Sequence, residues 1–206
     1  MPEKFGLYLV LTEPVAGYAA CAEAAVACGV RYLQLRMKGI ARADVRTTGR
    51  QVRDITRGTA TRFILNDDVD LAQELEADGV HLGQGDLSLT EARQRWPAPG
   101  RLFGLSTHNA QQARAAEALA PDYIGVGPVF ATPTKAIPDP VLGVARMAEI
   151  IRASPLTTVA IGGIDASNLP HLLALGVVNF AVVRAVNHAT DPAAAIRTLQ
   201  QLAAVP

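Results

Sequence analysis

The sequence lacks a charge imbalance and a long hydrophobic run. Its 19 basic and 19 acidic residues cancel to a formal net charge of +0, whereas nucleic-acid-binding proteins usually carry a basic excess. The apolar run near the start, residues 5–11, is far shorter than the ~18 residues that a membrane span requires, and nothing around it matches a signal peptide. We therefore expect neither nucleic acid nor a membrane as a partner, and we expect a cytoplasmic location.

Cysteine is also scarce. Cys21 and Cys28 are the 2 cysteines of the chain, and both lie in an alanine-rich segment with helical spacing. In a cytoplasmic protein such residues are usually reduced, small hydrophobic side chains. We therefore predict no disulfide and no metal site involving sulfur.

The chain has 206 residues, of which 50% are hydrophobic, and this is enough to bury a large core. No Ser/Gly-rich linker or low-complexity segment divides it. The sequence thus predicts a single domain over residues 1–206. Monomer and homo-oligomer both remain open, because apolar helix faces can pack on the domain itself or on a second copy.

Short apolar runs rich in strand-forming residues recur along the chain, and stretches with helical spacing follow them. The runs are nearly continuous in apolar residues, as is typical of parallel strands covered on both faces. They span residues 5–11, 31–37, 62–67, 79–83, 102–107, 122–130, 158–164 and 180–186.

Eight strand–helix units in 206 residues predict an α/β fold, a compact (β/α)8 TIM barrel near the ~200-residue lower limit of that fold. An open, doubly wound sheet is the alternative, but the sequence has no nucleotide-binding fingerprint. Ser88 and Glu91 form a capping-box pattern for one helix start, and Asp165 or Ser167 is expected to begin another.

Polar residues collect where the predicted strands end, which in a barrel is where active sites form. Gln34, Arg36 and Lys38 alternate along the second run, so they point to the same side. The longest irregular segment, residues 131–142, is also placed at a strand end. Further polar residues at such ends are Asn66, Asp67, Asp86, Ser106, Thr107, Thr132, Thr134 and Lys135.

Three cations and two carboxylates at one end of a barrel need partners, because burying an unpaired charge is costly. Structural ion pairs among them are one interpretation. The other is a site in which Asp67 and Asp86 hold Mg²⁺, which prefers one or two carboxylates together with substrate phosphates. Arg36, Lys38 and Lys135 would then neutralise a diphosphate. No cysteine or paired histidine favours zinc there.

Gly162 and Gly163 lie near the end of the seventh run, and barrels commonly bind phosphate after the seventh strand through backbone N–H groups. A plain tight turn is the alternative. Taken with the magnesium hypothesis, the glycines indicate two anion sites. Such a pair suits an enzyme that joins two phosphorylated small molecules and releases pyrophosphate.

Six motifs together resemble those of the thiamine-phosphate synthase family, in that family's order and over nearly the whole chain. The most specific are those that contain HLGQGD and GPVFATPTK. The motifs are QLRMK, NDDVDLA, GVHLGQGD, GLSTH, DYIGVGPVFATPTK and VAIGGI.

The resemblance implies an enzyme that condenses a pyrimidine-methyl diphosphate with a thiazole phosphate, often carboxylated, to give thiamine phosphate and pyrophosphate. Carried over by position, the pyrimidine-diphosphate contacts are Gln34, Leu35, Arg36, Met37, Lys38, Asn66, Ser106 and Lys135. Those for the thiazole phosphate are Thr132, Pro133, Thr134, Gly163, Val183 and Arg184. The magnesium ligands are Asp67 and Asp86, and the residues expected to act in catalysis are Arg36, Lys38, Ser106 and Lys135.

The chain departs from the family pattern at three positions. Asp68 stands where arginine is frequent, Gly85 where glutamate commonly precedes the metal aspartate, and Arg184 where serine is common. The first change alters local charge, and Arg184 can still hold a phosphate. His81 is interpreted as a wall residue without a role, and Tyr8 either borders the pyrimidine or packs in the core.

The hypothesis for the reaction is a dissociative substitution that needs no protein nucleophile. One rival is a paralogous thiazole tautomerase, which has a histidine close to where this chain has Pro128. The other is a phosphate-ligand sensor without activity, which would need the glycines but neither the two carboxylates nor Lys135. Pyrophosphate release that requires both substrates would separate the synthase from both rivals.

Overall fold

Eight parallel strands close into a barrel, which confirms the predicted fold class. The computed structural model describes residues 2–132 and 140–204. Each strand pairs with the next along the chain, and β1 also pairs with β8. The strands are β1 Leu7–Leu11, β2 Tyr32–Leu35, β3 Arg62–Asn66, β4 Gly79–Leu82, β5 Leu102–Thr107, β6 Tyr123–Val126, β7 Thr158–Ile161 and β8 Phe180–Val182.

Helices follow the strands and cover the outside of the barrel. Within the described residues they are α1 Tyr18–Ala27, α2 Arg42–Thr56, α3 Val69–Glu74, α4 Leu89–Arg95, α5 Ala110–Leu119, α6 Val144–Ala153, α7 Leu169–Ala174, α8 Arg184–Asn187 and α9 Pro192–Ala204. None of the helices in these residues has the length and apolar character that crossing a bilayer requires.

Alternation along each strand divides the side chains between two cores. On β1, Leu9 and Leu11 face outward into the layer beneath the helices, whereas Tyr8 and Val10 face the barrel interior. This is the period-two arrangement of any strand. On β2, the same rule turns Leu35 outward, and Gln34 lines the interior cavity.

Aromatic rings fill the barrel at the N-terminal ends of its strands. The Tyr32 ring lies between those of Phe5 and Tyr8, with centroid distances of 4.2 and 5.5 Å. The Tyr32 hydroxyl donates a hydrogen bond of 2.7 Å to Glu3. The N-terminal end of the barrel is therefore packed, and the space for a ligand lies at the other end.

Two details of the sequence interpretation are wrong. Residues 180–186 do not form one strand, since β8 ends at Val182 and a helical turn begins at Arg184. Neither Asp165 nor Ser167 begins a helix: α7 begins at Leu169, with Asn168 at the preceding position. Asp165 instead accepts hydrogen bonds from the Ser167 N–H and hydroxyl, and these local bonds hold a turn that competes with the helix. The capping box of Ser88 and Glu91 is confirmed.

Candidate active site

A cavity of about 640 Å³ opens at the C-terminal ends of the strands, and all eight strands or the loops that follow them contribute to its wall. Of the residues predicted to bind substrates or metal, those on the wall are Gln34, Arg36, Lys38, Asn66, Asp67, Asp86, Ser106, Thr132, Gly163, Val183 and Arg184. The residues therefore meet in one space, although they come from separate parts of the chain.

Five predicted residues do not belong to this set. The Leu35 side chain is fully buried in the outer core, and Met37 packs against the same core. Any contact of these two with a ligand would have to come from the backbone. The other three, Pro133, Thr134 and Lys135, lie outside the described residues.

One wall of the cavity carries the paired charges. Lys38 Nζ lies 2.8 Å from Oδ2 of Asp67, and the Asp67 carboxyl also contacts that of Asp86. The Gly83 N–H donates to Oδ2 of Asp86 at 2.7 Å. Asp67 has a backbone φ of 66°, a left-handed conformation that few residues other than glycine adopt. Such a conformation is a cost that functional sites often carry.

The contact between the two carboxyls shifts their pKa values apart. Burial raises the pKa of Asp67, and the neighbouring Asp86 raises it further against the opposing effect of Lys38. Burial would raise the pKa of Asp86 too, but hydrogen bonds from Asp67 and the Gly83 N–H lower it on balance. Of the two carboxyls, Asp67 is therefore the one that takes up a proton first as the pH falls.

Arg36 adds a further cation to this wall. Burial lowers the pKa of its guanidinium, and the attraction of Asp67 opposes this. Because an arginine stays charged in proteins, the side chain contributes a partly desolvated positive charge. Such a charge interacts strongly with an anion that enters the cavity.

Asp68 is next to Asp67 in the chain but does not share its environment. Its side chain accepts a hydrogen bond from the Leu71 N–H and so caps α3. It also pairs with Arg42, whose Nε lies 2.7 Å from Oδ2 of Asp68. Asp68 therefore stabilises the fold beside the site, and Arg42 balances its charge.

The opposite wall is made of backbone. The barrel order places β7 four strands from β3, on the far side of the cavity. After β7, Gly162 and Gly163 adopt φ values of 105° and 67°. A Cβ on Gly162 would lie 2.6 Å from Pro128, and one on Gly163 would lie 2.8 Å from Phe130 Cβ. Only glycine fits both positions.

Arg184 completes this wall. The side chain is exposed at the mouth of the cavity, beside Asp165. Its charge contributes to the lowered pKa of Asp165, after the larger effect of the hydrogen bond from Ser167. The wall therefore offers one cation and the backbone of the two glycines.

Sequence reasoning did not predict that a set of polar side chains joins at the floor of the cavity, and it did not name Tyr123. Tyr8 and Tyr123 join their hydroxyls at 2.7 Å, and Gln34 Nε2 donates to Tyr8 at 2.9 Å. His81 stands on the other side, with Nδ1 3.2 Å from the Tyr123 hydroxyl and Nε2 2.9 Å from Ser106 Oγ. The inward positions on each strand were the available signal, but the sequence does not reveal which of them meet.

The residues of the site suit Mg²⁺ in kind and number. Two carboxylates in mutual contact are unfavourable unless a proton or a cation lies between them. Mg²⁺ typically uses one or two protein carboxylates. Within residues 2–132 and 140–204, no group of three or more His, Cys, Asp or Glu side chains is arranged to hold a metal. A magnesium ion would therefore need ligands from water and substrate as well.

The fold and the cavity define a (β/α)8 barrel protein with a charged site at the C-terminal ends of its strands, the place where barrel enzymes carry their active sites. The chain belongs to the thiamine monophosphate synthase family, whose model matches residues 7–186.

Several known proteins are similar over most of the chain. The thiamine-phosphate synthase of Anaeromyxobacter dehalogenans is 41% identical over 95% of this chain and 86% of its own length. That of Synechocystis is 40% identical over 96% of this chain, but the match covers 57% of that longer protein. A solved thiamine phosphate pyrophosphorylase from Pyrococcus furiosus is 29% identical, with a TM-score of 0.86 over 97% of this chain and 95% of its own.

The barrel itself is shared more widely. A solved 3-hexulose-6-phosphate synthase from Salmonella typhimurium has a TM-score of 0.73 over 96% of this chain and 98% of its own. Its sequence identity is 16%, so this likeness concerns the fold alone.

Proposed function

We propose that this chain is a transferase that joins 4-amino-2-methyl-5-(diphosphooxymethyl)pyrimidine to a thiazole phosphate. The products are thiamine phosphate and pyrophosphate, with carbon dioxide from the carboxylated thiazole. The observation that carries the proposal is that one cavity has a wall of charged side chains and, facing it, a wall of backbone. Lys38, Asp67 and Asp86 lie on one side, and Gly162 and Gly163 lie across from them.

The charged wall would bind the pyrimidine diphosphate. Arg36, Lys38 and Ser106 supply two cations and a hydroxyl there, and Lys135 is predicted to add a third cation. Asp67 and Asp86 would hold Mg²⁺. The ion, when bound, neutralises oxygens of the diphosphate and makes it a better leaving group.

The backbone wall would bind the thiazole phosphate. Amides beside Gly163 and at Val183–Arg184 can donate to phosphate oxygens, and the Arg184 side chain adds charge. Thr132, Pro133 and Thr134 are predicted to close this site from the segment after β6. Two anions on opposite walls would hold the substrates with their reacting atoms towards each other, an effect worth up to ~7–11 kcal/mol of the barrier.

The reaction would begin with cleavage of the bond between the pyrimidine methylene and the diphosphate oxygen. The amino group of the pyrimidine ring can delocalise the positive charge that forms. Arg36 and Lys38 would stabilise the charge on the departing pyrophosphate, together with Lys135 as the resemblance predicts. The thiazole nitrogen then attacks the methylene carbon. No protein nucleophile is required, and the Cys21 side chain is buried in the outer core, away from the cavity.

The test is a pyrophosphate assay with both substrates and Mg²⁺. Release that requires both substrates supports the synthase. Proton exchange on the thiazole without pyrophosphate release would favour a tautomerase, and binding without turnover would favour a sensor.

Pro128 lies on the cavity wall, and its ring cannot accept a proton, which weighs against the tautomerase. A cytoplasmic location is part of the same proposal. Sedimentation of the active enzyme would decide between a monomer and a homo-oligomer, both of which the sequence leaves open.

A further inference from the structure

The polar side chains at the cavity floor form one continuous hydrogen-bonded chain, from Gln34 through Tyr8, Tyr123 and His81 to Ser106. It crosses the barrel from β2 to β5, and none of its three central members has a role in the proposed reaction. Burial raises the pKa values of Tyr8 and Tyr123. Both hydroxyls therefore keep their protons and can donate one hydrogen bond each.

The first hydrogen bond of this series, between Gln34 and Tyr8, has a fixed direction. Gln34 Nε2 carries only hydrogen-bond donors, so the Tyr8 oxygen must accept from it. The Tyr8 proton then needs an acceptor of its own. Among the residues that the structure describes, the remaining partner of Tyr8 is the Tyr123 oxygen at 2.7 Å. If Tyr123 donated instead, Tyr8 would keep a buried proton without an acceptor, which is unfavourable.

The same reasoning continues along the chain. Tyr123, having accepted from Tyr8, donates to Nδ1 of His81 at 3.2 Å. With Nδ1 as the acceptor, the neutral His81 ring carries its proton on Nε2 and donates it to Ser106 Oγ at 2.9 Å. The Ser106 oxygen is then an acceptor towards the protein, and its own proton is directed into the cavity.

We infer that Gln34 sets the direction of this chain and that Tyr8, Tyr123 and His81 are positioning residues that present the Ser106 hydroxyl to the substrate as a donor. The inference rests on the proposed function in one respect, namely that Ser106 meets an anion. A donor suits the oxygens of a diphosphate, whereas a hydroxyl that donates to His81 would present only lone pairs and repel them. Hydrogen bonds that run in one direction also polarise each other and strengthen the last donor.

The direction can be read in the free protein from the ¹⁵N resonances of His81, assigned by their loss in the His81→Asn variant. We expect the proton on Nε2 in the wild type. In Gln34→Glu at about pH 9.5, where even a buried carboxyl ionises, position 34 can only accept. The whole chain should then reverse, and the His81 proton should move to Nδ1.

Tyr32→Phe is the matched control. The Tyr32 ring packs against those of Tyr8 and Tyr123, but its hydroxyl donates to Glu3, which is not a member of the hydrogen-bonded chain. This control should leave the His81 proton on Nε2. A wild-type proton on Nδ1 would overturn the inference, and beyond the His81→Asn assignment this measurement requires no variant. An unchanged tautomer in folded Gln34→Glu at the same pH would overturn it as well.

A kinetic double-mutant cycle tests the link to Ser106. Ser106→Ala should lower kcat/KM by about 10- to 100-fold, the usual range for a hydrogen bond to a charged group. Tyr123→Phe, which breaks the chain in its middle, should lower kcat/KM by about three- to tenfold in the wild type and by less than about twofold in the Ser106→Ala background. Equal losses in both backgrounds would contradict a role through Ser106. If the wild type releases no pyrophosphate, the proposed function fails, while the His81 resonances still decide the direction of the chain.

Discussion

Lys38 Nζ lies 2.8 Å from Oδ2 of Asp67, and the carboxyl group of Asp86 contacts the same Asp67 side chain. Each of these groups is therefore compensated within the protein. In the proposed reaction, a diphosphate that arrives with Mg²⁺ would replace these contacts: the phosphate would pair with Lys38, and the ion would bind the two carboxylates. The exchange leaves no charge without a partner, which suits a site that must bind and release its substrate repeatedly.

The first prediction concerns the two carboxylates together. Asp67→Asn combined with Asp86→Asn should lower turnover at least about 100-fold, because several kcal/mol of charge stabilisation would be lost with the ion. The residual rate should no longer respond to Mg²⁺. Asp68→Asn is the control: it retains a side chain that can cap α3, and it should keep both activity and the response to Mg²⁺. Full activity in the double variant would refute the metal assignment.

The second prediction concerns stability and pH. The pKa of Asp67 is raised from an ordinary value of 3.8, mainly by burial. Its protonated form therefore favours the folded state, and this contribution is lost as the pH rises through the folded pKa. Without Mg²⁺, Asp67→Asn should match the wild type in free energy of unfolding below about pH 4 and exceed it near neutral pH.

Asp68 should behave in the opposite way. Burial would raise its pKa, but hydrogen bonds from Arg42 and the Leu71 N–H lower it on balance. Its stabilising contribution is therefore present at neutral pH and is lost as the pH falls through the folded pKa, below 3.8. Urea unfolding of Asp67→Asn and Asp68→Asn across this range checks both signs. A stability gain in Asp67→Asn that did not change with pH would contradict the sign predicted for Asp67.

The third prediction concerns the backbone wall. An added methyl group in Gly163→Ala would come within 2.8 Å of Phe130 Cβ and 3.0 Å of the Ala131 oxygen, at a φ of +67°. We expect KM for the thiazole phosphate to rise about fivefold or more, since a left-handed alanine costs about 1–3 kcal/mol. KM for the pyrimidine diphosphate should change less. In Gly85→Ala the new Cβ meets nothing within 4 Å, so both constants should stay as in the wild type.

The fourth prediction concerns Lys135, which lies outside the described residues and is assigned by resemblance. Lys135→Ala should lower turnover by about tenfold or more, as expected when a cation that stabilises a leaving group is removed. Lys4→Ala removes an exposed lysine before β1 and should leave the rate unchanged. Unchanged turnover in Lys135→Ala would remove this residue from the proposed reaction.

The fold was largely predictable from local pattern. Each apolar run from residue 5 to residue 186 contains a strand, because alternating strands and helices record their burial directly in the sequence. The ends of elements were less predictable. The run that contains β8 continues into a helical turn at Arg184, since an apolar residue suits a buried strand and a buried helical turn equally.

The candidate site was predictable only in part. The alternation of Gln34, Arg36 and Lys38 placed all three on the cavity wall, and the same alternation turned Leu35 and Met37 away from it. The resemblance included Leu35 and Met37 because it assigned the whole segment 34–38 to the pyrimidine diphosphate.

The sequence by itself determined the order of strands and helices and the polar residues that end the strands, because both depend on contacts between near neighbours in the chain. The tertiary structure alone decided which of those residues meet. Tyr8 and Tyr123 are 115 residues apart, and their hydroxyls come within 2.7 Å only because the barrel closes and its radius lets two rings span the interior. No local pattern encodes that distance, which depends on how all eight strands pair.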